Sequence, residues 1–111
     1  MVGFPIEPVG SDLGIIRVEG RLNMVTAPQL RETVAAAVKS GQSRLVLDLR
    51  EASFMDSSGL GALIGSLKAT REAGGDLRIA GAGEQVLMVL QLSNMDRILK
   101  PYANPETAFA D

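Results

Sequence analysis

Neither cysteine nor histidine occurs anywhere in the 111 residues, and tryptophan is missing too. Without thiol or imidazole the chain cannot build a cysteine nucleophile, a Ser-His-Asp arrangement in any order, or a zinc site of the usual ligands. Aromatic side chains number only four, three Phe and one Tyr, and the formal net charge is -2. Nucleic-acid binding asks for a basic face and often for stacking platforms, so this composition speaks against it. No apolar run approaches the roughly 18 residues of a membrane span. The opening Met1-Val-Gly-Phe-Pro-Ile-Glu-Pro8 lacks the basic and apolar segments of a secretory signal. These absences imply a cytoplasmic domain without nucleic-acid or membrane partners. What remains is a chain with 46% hydrophobic residues, of a length suited to one domain over 1–111. Such a domain can bury a core without disulfides or a structural metal.

Residues 4–9 read as an edge strand, because Pro5 and Pro8 bar it from a central position. Gly10-Ser11-Asp12 is turn chemistry, and residues 13–19 then alternate, with Ile16 and Val18 on one face and Arg17 and Glu19 on the other. Thr26-Ala-Pro-Gln29 predicts a helix start: Thr26 caps, Pro28 suits the first turn and Gln29 reaches back in a capping box. Leu30, Val34, Ala37 and Val38 share its apolar stripe, and Gly41 stops it. Arg44-Leu-Val-Leu-Asp-Leu49 is too uniformly apolar for a surface hairpin and is assigned to the sheet centre. A second helix runs from Ser57 or Ser58 to Ala73 and ends at Gly74-Gly75. A strand at 77–80, a helix at 84–93 and a short strand at 97–99 follow, and Asn104-Pro105-Glu106 opens a last helix. Helix and strand alternate regularly after the hairpin, which implies an α/β fold with a largely parallel sheet.

Chemical interest concentrates in Ser53-Phe-Met-Asp-Ser-Ser-Gly-Leu-Gly61, between the buried strand and the second helix. Asp56, Ser57 and Ser58 therefore stand at a helix N-terminus, beside free N–H groups and positive partial charge. Capping alone explains one such residue, not three in a row. Gly59 and Gly61 cost helix stability and leave the hydroxyls open to close approach, and Phe54 and Met55 offer an apolar rim if partly exposed. There is no histidine, and no lysine stands three residues on from either serine, so the residues speak against a self-activated nucleophile. A serine phosphorylated by another enzyme fits better: the helix terminus stabilises an added anion by roughly 0.3–1 kcal/mol.

The segment Leu45-Val-Leu-Asp-Leu-Arg-Glu-Ala-Ser-Phe-Met-Asp-Ser-Ser-Gly-Leu-Gly-Ala-Leu63 closely resembles STAS domains of the bacterial anti-sigma factor antagonist type. The resemblance extends through Gly20-Arg-Leu-Asn-Met-Val-Thr-Ala27, residues 71–81 and Leu90-Gln-Leu-Ser-Asn-Met95, nearly the whole chain. It implies a four- to five-stranded mixed sheet with about four helices mainly on one face, and a regulator rather than an enzyme. In that family the unphosphorylated protein binds an anti-sigma factor that is also a serine kinase of the GHKL ATPase type, and so frees the sigma factor. Phosphorylation on the serine matching Ser57 ends the binding, and a PP2C-type phosphatase restores it. Asp56, Ser58 and Gly59 would shape the loop, and Asn23 and Met24 would join the contact surface. Many relatives carry aspartate where this chain has Asn23, and an acid where it has Arg21, which alters the charge offered to a partner. No cofactor is implied.

Three other readings compete. A scaffold or adaptor subunit, in a stressosome-like or lipid-transport complex, would keep the fold without the sigma switch. A response-regulator receiver would accept phosphate on Asp48, with Lys100-Pro101 as its terminal lysine-proline, but only Glu19 answers its magnesium-binding acidic pair. Under the family resemblance Asp48 is structural and Lys100 a solvated strand end. Dinucleotide binding fails because neither Gly59-x-Gly61 nor Gly81-Ala-Gly83 completes the fingerprint. Met24, Met55, Met88 and Met95 can soften a contact surface, with core filling favoured for Met88 and Met95.

Overall fold

A computed structural model describes residues 4–10 and 12–110, so Ser11, within the anticipated turn, lies outside it. β1 (Ile6–Pro8) pairs antiparallel with β2 (Leu13–Arg17) and occupies the edge its prolines demand. A separate parallel pair joins β3 (Gly20–Leu22) to β5 (Ala52–Met55). β4 (Arg44–Asp48) lies parallel between β2 and β6 (Asp76–Ala80), and β7 (Pro101–Tyr102) closes the far edge. The main sheet is thus mixed and five-stranded, in the order β1-β2-β4-β6-β7. Every residue from 45 to 49 is buried, as the apolar run predicts for a strand covered on both faces.

Three helices cover one face: α1 (Ala27–Lys39), α2 (Ser57–Glu72) and α3 (Glu84–Leu92). Their buried Leu30, Val34, Leu63, Leu67, Val86 and Leu90 pack in one cluster with Ile16, Val18, Leu45, Leu47 and Ile79 of the sheet. Gly41, at φ +101, adopts the left-handed conformation that ends α1. On the opposite face Ile15, Val46 and Ala80 are covered by the chain's own C-terminal segment through Tyr102, Ala108 and Phe109.

Two sequence assignments near the C-terminus need correction. The strand expected at 97–99 is a 3-10 turn over Met95–Arg97, because Ile98 and Leu99 both donate to the Met95 carbonyl. That turn buries Leu99 and delays the edge strand to Pro101, where a residue without an N–H is tolerated. The expected fourth helix is a single 3-10 turn, Pro105–Thr107, seated on β4's free face. Met88 is 50% exposed, contrary to its assignment to the core, whereas Met95 does pack against the core.

Candidate functional site

Parallel pairing of β3 and β5, with Leu22 opposite Met55, brings the two following loops side by side. One loop carries Asn23, Met24, Val25 and Thr26 into α1, and the other carries Asp56 and Ser57 into α2. The Asp56 N–H donates to the Leu22 carbonyl at 3.3 Å and ties the loops together. Asn23, Met24, Asp56, Ser57, Ser58 and Gly59 are therefore brought to one end of the molecule.

Asp56 caps α2. Its Oδ1 accepts the Gly59 N–H at 2.9 Å, and its backbone is extended (φ -107, ψ -170) as a helix N-cap requires. Ser57 follows as the first helical residue and is exposed, while Ser58 and Asp56 are half-buried. Division of labour within the polar triplet is thus plain: Asp56 satisfies the helix end, and Ser57 is left to solvent. Gly59 has a different reason from the open access inferred for it. A Cβ there would stand 2.3 Å from the Leu22 carbonyl oxygen and 2.9 Å from Met55 Cγ. Hydrogen alone fits where α2 crosses β3. At Gly61 a Cβ would meet only the end of the Arg31 side chain, at 3.5 Å.

The capping box of α1 lies one turn earlier than its spacing in the sequence suggests. Thr26 makes no cap bond to the helix, and Gln29 leaves its Oε1 buried without a partner among the described residues. Instead, Asn23 Oδ1 accepts the N–H groups of Val25 (3.0 Å) and Thr26 (3.2 Å), while Thr26 Oγ1 accepts the Asn23 N–H at 3.0 Å. The Thr26 hydroxyl donates to the Arg21 carbonyl at 2.8 Å. Asn23 thus holds the loop in shape through its carbonyl oxygen. The loop so fixed projects Met24 and Val25, which are 74% and 71% exposed.

Met55 does not form the rim expected of it: at 1% exposure it belongs to the core. Phe54 is half-buried on the outer face of the strand pair, with the Arg21 guanidinium 5.3 Å from its ring centroid. Sequence reasoning missed two residues. Val25 was legible as an apolar neighbour of Met24 in a loop. Gln85 was not: its carboxamide donates to the Met55 carbonyl at 2.9 Å and accepts the Met55 N–H at 2.8 Å. This pair of bonds imitates a neighbouring strand and fastens α3 to β5 just before the Asp56 turn.

Asp48 lies elsewhere, with 3% of its surface exposed, and accepts Arg50 Nε at 3.0 Å, Arg50 Nη2 at 2.9 Å and the Arg50 N–H at 3.0 Å. Burial opposes its ionisation, yet the arginine bonds outweigh it and hold the carboxyl below the usual range. A buried carboxylate clamped this way is structural, and the antiparallel edge strand departs from a receiver's all-parallel sheet, which removes the receiver reading. Lys100 is exposed, its Nζ 5.5 Å from the Tyr102 ring centroid. Among the described residues no group of three acidic, histidine or cysteine side chains could hold a metal ion, and no helix is long and apolar enough to cross a membrane.

A mixed sheet with helices on one face, and two capped loops presenting a serine beside exposed apolar side chains, define a domain of the mixed α/β class. The STAS domain family model matches residues 6–108, and the chain belongs to that family. Its relatives include the anti-sigma F factor antagonist of Paenibacillus polymyxa, 31% identical over 98 residues, covering 87% of this chain and 84% of the relative. The anti-sigma-B factor antagonist of Bacillus subtilis is 28% identical over 91 residues, covering 82% and 83%. A crystal structure of a candidate anti-sigma factor antagonist from Thermotoga maritima superposes with a TM-score of 0.86 at 29% identity, covering 96% of this chain and 92% of that one.

Proposed function

We propose that this protein is an anti-sigma factor antagonist of the bacterial cytoplasm, with Ser57 as its phosphoacceptor. Unphosphorylated, it binds an anti-sigma factor that is a serine kinase of the GHKL ATPase type, and so releases the sigma factor. Phosphorylation of Ser57 ends the binding, and a PP2C-type phosphatase resets it. The protein contributes no catalytic group. Asn23, Met24, Asp56, Ser58 and Gly59 form or support the contact surface.

The observation that carries this reading is the exposed Ser57 at the start of a capped helix, beside Asp56 and the projecting Met24 and Val25. A phosphate there adds about -1.5 to -2 charges. The helix N-terminus tolerates that anion, so the fold survives. Docking does not. Charges of this size about 6 Å apart repel by roughly 1–5 kcal/mol for effective dielectrics between 80 and 20. A partner that is acidic at this point, or that requires a dry fit, loses tenfold or more in affinity.

Two substitutions test the switch. Ser57→Ala is expected to stay bound to the cognate kinase in the presence of ATP, and Ser57→Asp to bind at least tenfold more weakly. Equal affinity of the two, measured by titration calorimetry, would sink the proposal. Intact-mass measurement after incubation with kinase and ATP is expected to place a single phosphate on the peptide containing Ser57.

A further inference from the structure

We propose that the outer face of the β3–β5 pair selects the partner, and that Arg21 takes an acidic side chain of the anti-sigma kinase. This rests on the reading above, that the loops after β3 and β5 dock such a kinase. Arg21 and Phe54 are register neighbours on the two strands, and the guanidinium lies over the ring at 5.3 Å. This cation–π contact consumes none of the guanidinium's N–H groups and leaves its fork available to a planar carboxylate. Four of the eight arginines, Arg44, Arg50, Arg71 and Arg78, have a carboxylate of this chain at 2.9–3.8 Å. Of those without one among the described residues, Arg17, Arg21, Arg31 and Arg97, Arg21 is the one on the β3–β5 pair. Arg21 has none within pairing distance among the described residues. The nearby Asp56 spends Oδ1 on the Gly59 N–H.

Met24 and Val25 decide what this lone cation needs. Both are highly exposed and sit in the loop that continues β3, so a partner covering them also removes water from the Arg21–Phe54 pair. A guanidinium stripped of water without a counter-charge is costly, whereas one meeting a carboxylate bidentately is not. The same requirement discriminates among kinases: a basic surface opposite Arg21 is rejected, an acidic one accepted.

The test uses the full chain and a panel of purified GHKL-type anti-sigma kinases from the organism that encodes it, with wild type, Arg21→Gln and Arg21→Glu titrated from low to high salt. Arg21 is exposed, so the variants are expected to fold, and thermal melts check this. The expected result is a kinase that phosphorylates all three proteins on Ser57 at saturating concentration. It binds Arg21→Gln more weakly with a shallower salt dependence, and Arg21→Glu at least tenfold more weakly at low salt. Equal or tighter binding of folded Arg21→Glu, with Ser57 still phosphorylated, overturns the acidic contact and leaves the switch standing. Failure of every kinase in the panel to bind or phosphorylate the wild type overturns both.

Discussion

Gly59 and Gly61 stand two residues apart on α2, yet the same substitution is expected to act oppositely at them. At Gly59 an added methyl meets the backbone oxygen of Leu22 at 2.3 Å, and backbone cannot swing aside as a side chain can. Overpacking of this kind costs about 1–3 kcal/mol, with a backbone clash at the upper end. Alanine's better helix propensity returns about 1 kcal/mol. Gly59→Ala is therefore expected to lose about 1–2 kcal/mol. At Gly61 the methyl makes ordinary contact with the flexible end of Arg31 at 3.5 Å, so the propensity gain of about 1 kcal/mol stands alone. For a chain of this size each kcal/mol moves Tm by about 4 °C, which separates the two variants by about 8–12 °C in a thermal melt. Gly59→Ala should also push α2 away from β3, and with it Ser57 away from the β3 loop, so under the proposed function the folded variant should bind its partner more weakly than wild type. A Gly59→Ala protein melting at or above the wild type would refute the claim that α2 rests on the Leu22 carbonyl.

Two further outcomes follow from named hydrogen bonds. Gln85→Ala removes both bonds to the Met55 backbone, and a loss of about 1–3 kcal/mol is expected, with faster hydrogen exchange at the Met55 amide; unchanged exchange there would contradict the strand-mimic role. Asp48 is held ionised by Arg50 below its unfolded value near 3.8, so its contribution is complete above about pH 4 and disappears as pH falls through the folded value. Asp48→Asn should accordingly destabilise the protein by about 1–3 kcal/mol at pH 7, with the gap to wild type closing in acid, as denaturant titrations at pH 7 and pH 3 would reveal.

Elements written in periodicity are legible in the amino-acid order itself. Residues 45–49 can only be a central strand, and the stripe through Leu60, Leu63, Ile64 and Leu67 can only face a core. Periodicity does not carry the pairing of distant segments. Gly20-Arg-Leu22 is too short to announce itself as a strand, and its partner β5 makes sense only once the two are side by side. For the same reason Met55 reads as a rim although it is core. The α1 cap is misplaced by one turn because Thr26 and Gln29 satisfy the spacing rule as well as Asn23 and Thr26 do, and only the backbone path shows which pair meets. Gln85 carries no local mark at all, because both its partner atoms lie 30 residues away on Met55. Within the candidate site, the Asp-Ser-Ser triplet and Met24 are readable, since helix starts and loop chemistry are local. Their juxtaposition is not.

The far side of the sheet has a consequence for how this molecule can be approached. Phe109 is gripped between Arg44 and Arg78, whose guanidinium carbons lie 5.6 and 4.5 Å from its ring centroid, and Ala108 accepts a hydrogen bond from Arg78. The tail behaves as a bung in the reverse wall, keeping Ile15 and Val46 dry. Shortening the tail would unstop that wall and turn a sealed back into a sticky, undiscriminating one.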